Sequence, residues 1–119
     1  MIEIGLQKWQ ESPLWGYGFD SFKYFNESVT GHFYYSHNNF VEMLYNLGII
    51  GFIAYYSYYI KLLFASYNGK NRISLSVRAF SVAMVISMMV YEYGAINYTT
   101  TSTMIMFFFA STMLQEELM

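Results

Sequence analysis

The chain has 119 residues, 55% hydrophobic and 22% aromatic, with 12% charged. A soluble domain averages about 25% charged, so too little polar material is present to clothe a globule in water, and a membrane protein is expected. The net charge of -2 supplies no basic field for nucleic acid, and the absence of cysteine excludes disulfides, zinc-thiolate sites and cysteine nucleophiles.

The N-terminus, MIEIGLQKWQESPLWGYGF, lacks a basic start followed by an apolar stretch and a small-residue cleavage site, so it does not read as a signal peptide. Ile2, Leu6 and Trp9 fall on one side of a short amphipathic helix, with Glu3, Lys8 and Glu11 elsewhere. That helix ends before Pro13, because the residue preceding a proline is pushed out of the helical region. Turn chemistry follows: Pro13, Gly16 and Gly18 among the bulky Trp15, Tyr17 and Phe19.

From Asn39 to Ser66 the only charges are Glu42 and Lys61, near the two ends where long side chains reach the interface. About 20 apolar residues suffice to cross a bilayer. The sequence predicts an all-α, integral membrane fold with about three transmembrane helices, at about 42–65, 74–92 and 99–115, preceded by an extracytoplasmic helix-and-loop segment over residues 1–38. Asn68 and Gly69 end the first span. The third reaches spanning length if the hydroxyls of Thr99 to Thr103 bond to helical carbonyls inside the membrane.

Four of the six Lys and Arg residues (Lys61, Lys70, Arg72, Arg78) flank the link between the first two spans. The positive-inside bias places that link in the cytoplasm and residues 1–38 outside; by alternation Gly94 to Thr99 is outside and the tail with Glu116 and Glu117 inside. His37 then stands at the extracytoplasmic surface, where HFYYSHNN turns into the apolar run. An imidazole exchanges protons near neutral pH, its unperturbed pKa being about 6.5.

PLWGYGFDSF, a spacer, and then HNNFVEMLYNLGIIGFI resemble the C-terminal half of the O-antigen ligase and O-antigen polymerase superfamily. Its members share a Pro-x-x-Gly-x-Gly turn, an extracytoplasmic loop, and a His-Asn motif entering a helix with Gly-(Ile/Leu)-(Ile/Leu)-Gly. The resemblance covers roughly Trp9 to Phe64, with Val41 standing where the family commonly has leucine. It implies a bacterial inner-membrane enzyme that moves a glycan from a polyprenyl-diphosphate-linked donor (undecaprenyl diphosphate) to a hydroxyl of a glycan acceptor, without cofactor or metal. Polymerase and ligase use the same donor, and the sequence leaves both open.

Candidate site residues follow from the resemblance, for His37, and from the chemistry of the residues themselves for the others. His37 is the candidate catalytic group, accepting the acceptor's proton. Asn38, Gly16, Gly18 and Tyr35 are candidate substrate-binding residues, the glycines through backbone amides near phosphate and Tyr35, with Tyr34, by stacking on sugar rings. Family arginines hold the diphosphate, whose charge grows as the glycosidic bond breaks. Their position falls before Met1 here, and Arg72 and Arg78 are placed on the cytoplasmic side. The chain therefore reads as the C-terminal part of such an enzyme, inactive alone, whose partners are membrane lipid and the remaining upstream transmembrane helices. The alternative is a small noncatalytic membrane scaffold or assembly subunit.

Plainer roles stand beside these. Asn38 or Asn39 is a natural helix N-cap, and Asn39 with Glu42 has the acid of a capping box. Glu42 lies five residues from His37, a poorer spacing for orienting it than three or four. Gly16 and Gly18 serve a tight turn. Gly48 and Gly51 invite a helix-packing reading, though their spacing of three is not the GxxxG of close dimers. Glu92, an ionisable group near the end of a span and so a functional candidate by default, reads rather as part of an interfacial belt with Tyr91 and Tyr93, and His32 decorates a loop.

Overall fold

The computed structural model describes residues 1–68, 73–96 and 98–118, with side chains to Leu114. Gly69, Lys70 and Arg72 lie outside the described residues, as do the side chains of Glu116 and Glu117. Among the described residues every regular element is helical: α1 (Ile2–Trp9), α2 (Phe22–Thr30), α3 (Asn39–Asn68), α4 (Leu75–Gly94) and α5 (Thr101–Leu118). They form two compact units, residues 1–55 with 92–99, and residues 56–91 with 100–119.

In the first unit, α1 forms where the amphipathic pattern places it. Its end is followed by turn bonds from Ser12 N to Trp9 O (2.9 Å) and from Gly16 N to Ser12 O (3.0 Å), which carry the chain around Pro13. The indole of Trp9 donates to the Pro13 carbonyl at 3.1 Å.

α2 occupies a stretch that the sequence reading leaves as loop. Nine residues are too few to hold a helix in isolation, and Ser21 at its N-cap makes no side-chain capping bond. The cap comes from another element. Asn46 on α3 accepts from the Ser21 amide at 3.1 Å, the Ser21 hydroxyl at 2.9 Å and the Phe22 amide at 2.9 Å. The buried Phe22 then packs edge-on to Tyr45, which is itself stacked between Tyr17 (4.9 Å) and Phe25 (5.2 Å). Aromatic pairs of this kind add about 0.5–1.5 kcal/mol each beyond their buried area.

α3 is the long apolar helix expected from the sequence, but it is interrupted. Gly48 has φ 63 and ψ -170, which no helix accommodates. Reading Gly48 with Gly51 as packing sites on a continuous helix is therefore corrected: Gly48 is a break, and the turn after α1 fills it. In an unbroken helix the carbonyls of Tyr45 and Asn46 would accept from Ile49 and Ile50. Here Tyr45 O accepts from Tyr17 N (2.9 Å) and Asn46 O from Gly18 N (2.8 Å), while Ile49 N donates to Pro13 O (2.9 Å) and Ile50 N to Leu14 O (3.3 Å). These four groups are paired again, as buried backbone polar groups require.

In the second unit the core gathers Tyr59, Leu62, Met84, Val85, Met88, Phe107 and Ala110. Tyr59 meets Phe107 edge-on at 4.4 Å, and the Tyr58 hydroxyl lies 2.6 Å from Ser111 Oγ. Two helices, α3 and α4, are long and apolar enough to cross a membrane; the apolar part of α5, Thr101–Leu114, is shorter. At the start of α5 the hydroxyls of Thr100 and Thr103 lie 2.8 Å apart.

Candidate functional site

His37 stands at the mouth of α3 between two residues that are locked in place. On the C-terminal side, Asn38 rather than Asn39 caps the helix: its Oδ1 accepts from Val41 N at 3.1 Å, and its carbonyl takes the first helical bond, from Glu42 N at 3.1 Å. The Asn38 amide group also donates to Tyr93 O at 3.2 Å, tying the cap to the end of α4. On the N-terminal side, the Ser36 amide donates to Glu42 Oε1 at 2.5 Å. Ser36 Oγ bridges across the histidine, donating to Asn38 O (3.0 Å) and accepting from Asn38 N (3.1 Å). Ser36 and Asn38 are buried, while His37 is exposed.

The histidine itself has φ 57, in the left-handed region that side-chain-bearing residues seldom adopt. Its side chain carries no hydrogen bond or ion pair to another described residue. Glu42 faces Ser36, so it does not orient the imidazole directly. His32 is exposed in the loop after α2, as expected.

Below this mouth, Asn39, Glu42 and Asn46 are fully buried. Their spacing of three and four puts them on one face of α3. Asn39 Oδ1 accepts from the amide of Tyr98 at 3.1 Å, and Asn46 Nδ2 donates to the Tyr98 hydroxyl. Burial pushes the Tyr98 phenol up; the nearby carboxylates of Glu42 and Asp20 act in the same direction, and the Asn46 bond opposes them. Glu42 Oε2 and Asp20 Oδ1 are buried acceptors without a hydrogen-bond partner among the described residues.

Tyr35 is half-buried, with its hydroxyl 3.3 Å from Lys23 Nζ. Lys23 is paired with Asp20 and lies 5.4 to 5.5 Å from the ring centres of Tyr24, Phe33 and Tyr35. The Asp20 bond, then that to Tyr35, holds the ammonium above its ordinary range. Lys8 is paired with Glu11, and the Tyr17 hydroxyl bonds to both residues. Each lysine of residues 1–38 therefore carries its own counter-ion.

The glycines of the turn are placed by backbone needs. Gly16 (φ 69) and Gly18 (φ 110) are both left-handed. The amides of Gly16, Tyr17 and Gly18 donate to Ser12 O, Tyr45 O and Asn46 O respectively, so these three N–H groups point into the protein.

Glu92 departs from the interfacial belt expected for it. Tyr91 and Tyr93 are exposed, but Glu92 is fully buried and accepts from the Tyr55 hydroxyl at 2.9 Å. Successive helical residues turn by about 100°, so an acid between two exposed tyrosines points away from both.

Asn46 and the Glu42–Ser36 bond escaped the sequence reading. The signal was there: an acid and two amides at helical spacing inside an apolar run, a polar stripe that an apolar surrounding tolerates only when paired.

Residues 1–56 match the O-antigen ligase family. The match supports what the motifs suggest, that this stretch is a C-terminal portion of the O-antigen ligase and polymerase superfamily. No curated protein and no solved structure matches the chain. The O-antigen ligase stretch contains the Pro13–Gly18 turn, α2, His37, Asn38, Tyr35 and α3 through its break. Together with α3 and α4, the match over residues 1–56 suggests a membrane protein.

Proposed function

We propose that residues 1–56 form part of the acceptor side of an extracytoplasmic glycan-transfer site, in which His37 removes the proton from the attacking hydroxyl. The observation that carries this reading is the exposed, left-handed His37 held between two buried, hydrogen-bonded neighbours, inside the stretch that matches O-antigen ligase. A strained residue that its surroundings over-determine is a mark of function.

The reaction balances without metal or nucleotide. The acceptor oxygen forms a bond to the anomeric carbon of the donor sugar, its proton passes to an imidazole nitrogen of His37, and the anomeric carbon–phosphate oxygen bond breaks. The electron pair leaves with the polyprenyl diphosphate. A cation near that leaving group lowers the barrier. Lys8 and Lys23 are neutralised by Glu11 and Asp20, so the cation comes from residues other than these, in the further transmembrane helices that such an enzyme places around the site. Asn38 contributes by capping α3 beneath the histidine, and Tyr34, exposed three residues earlier in the chain, offers a ring face to a sugar. Gly16 and Gly18 act by seating the turn on α3.

The topology that goes with this reading puts residues 1–38 outside the inner membrane and the C-terminus in the cytoplasm, following the positive residues Lys61, Lys70, Arg72 and Arg78. The test is complementation. The gene carrying His37→Ala, expressed in a strain lacking its O-antigen polymerase or ligase, is expected to yield no long-chain or ligated glycan, although the protein reaches the membrane. Retention of that glycan removes His37 from the mechanism.

A further inference from the structure

The bonds on either side of His37 have one common anchor. The Ser36 amide ends on Glu42 Oε1 (2.5 Å), Ser36 Oγ closes onto both the carbonyl and the amide of Asn38, and Asn38 caps the helix that carries Glu42. The ring of contacts starts and finishes on the first turn of α3 and leaves out only the residue in the middle. That residue has φ 57 and is exposed, while Ser36, Asn38 and Glu42 are all buried.

A histidine gains nothing from the left-handed region that asparagine or glycine would not gain more easily. In an unbraced loop, rotation back to negative φ would relieve the strain and swing the imidazole to another direction. The Ser36 amide is the group such a rotation would move, and a fully buried carboxylate holds it.

We propose that Glu42 is a positioning residue for His37: by fixing the Ser36 amide to the first turn of α3, it keeps the histidine left-handed and its imidazole turned out of the protein. The proposal rests on the catalytic reading of His37 and deepens it. Glu42 acts through reach and hydrogen-bond geometry, not through its charge on the reacting atoms, because Ser36 and not His37 receives its carboxylate.

Two conservative variants separate these roles. Glu42→Gln keeps both the reach and an oxygen acceptor and discards the charge; Glu42→Asp keeps the charge and is one methylene short of the Ser36 amide. Assayed in membranes with lipid-linked donor and glycan acceptor, Glu42→Gln is expected to stay within a few-fold of the native kcat. Glu42→Asp is expected to lose about ten- to a hundredfold in kcat, as misplacement by about 1 Å does, with KM little changed. The reverse order, Asp active and Gln impaired, overturns the proposal in favour of a charge role.

A second measurement needs no turnover. His37→Gly removes the strain, so the purified protein in detergent is expected to unfold a few degrees higher than the native protein. In that background Glu42→Asp should cost less stability than it does beside the native histidine, because a glycine needs no brace. Additive effects of the two substitutions, or a lower unfolding temperature for His37→Gly, overturn the brace. Should His37→Ala retain its glycan product, the catalytic reading falls by itself, while this stability cycle still decides whether Glu42 holds residue 37.

Discussion

Gly48 leaves no room for a side chain against Leu14: a Cβ built there would overlap the Leu14 carbonyl and stand 2.6 Å from the amide of Trp15. The reciprocal contact is as close, since a Cβ on Gly16 would lie 2.5 Å from Tyr45 O. Both obstacles are backbone, which cannot rotate aside. Gly48→Ala and Gly16→Ala are therefore expected to destabilise the first unit by at least roughly 2 kcal/mol each, combining overpacking with a left-handed backbone. Gly94→Ala, with nothing within 4 Å of its Cβ, should change stability by less than about 0.5 kcal/mol. Thermal unfolding of the purified variants in detergent checks the contrast, and equal effects at all three positions would refute the close approach.

Asn46 serves α2 from a distance. Asn46→Ala strips three donors of their acceptor, the Phe22 amide in a buried place and the two of Ser21 in a half-buried one, and the expected cost is about 2–4 kcal/mol. Asn46→Asp keeps the acceptor oxygen and loses the donor to Tyr98, so it should fall between Ala and native. Hydrogen exchange locates the damage: in Asn46→Ala the amides at the start of α2, Phe22 to Phe25, should exchange fastest relative to native. Uniform loosening of the whole chain would count against a capping role.

The Lys23–Asp20 pair gives an alkaline signature. Lys23 is held above its ordinary value by the Asp20 hydrogen bond, so its folded pKa exceeds the unfolded value of about 10.4. The stability it contributes is complete below that pH and is lost as pH rises through the raised folded value. The difference in unfolding temperature between the native protein and Lys23→Met should stay constant from about pH 7 to 9 and shrink above about pH 10.4. A difference that instead grows with alkalinity would show that Asp20 does not hold the lysine.

How much of this was legible beforehand differs from element to element. α1, α3 and α4 follow from patterns contained in a single stretch of chain: one apolar side around Ile2, Leu6 and Trp9, and long apolar runs from Asn39 and Leu75. α2 was not legible, because its cap is Asn46, far along the chain, and local sequence records no such partner. The break at Gly48 was hidden for the same reason. A glycine within GIIG reads as a packing surface until one knows that Pro13 to Gly18 supplies the missing hydrogen bonds. His37 could be singled out by its place in the chain, but its conformation could not, since a left-handed φ is imposed by Ser36, Asn38 and Glu42 acting together. Glu92 misled because flanking tyrosines describe a neighbourhood in sequence, and a helix turns each neighbour elsewhere.

The exchange of hydrogen bonds at Gly48 also makes the turn and the break in α3 depend on each other. With the break but without the turn, Tyr45 and Asn46 would present bare carbonyls and Ile49 and Ile50 bare amides, in a long apolar helix. Those groups would each cost several kcal/mol inside lipid. The break in α3 therefore lasts only while the Pro13–Gly18 turn is docked against it. A chain whose turn is damaged should therefore lose the break as well, and with it the shape of the segment that follows the candidate site.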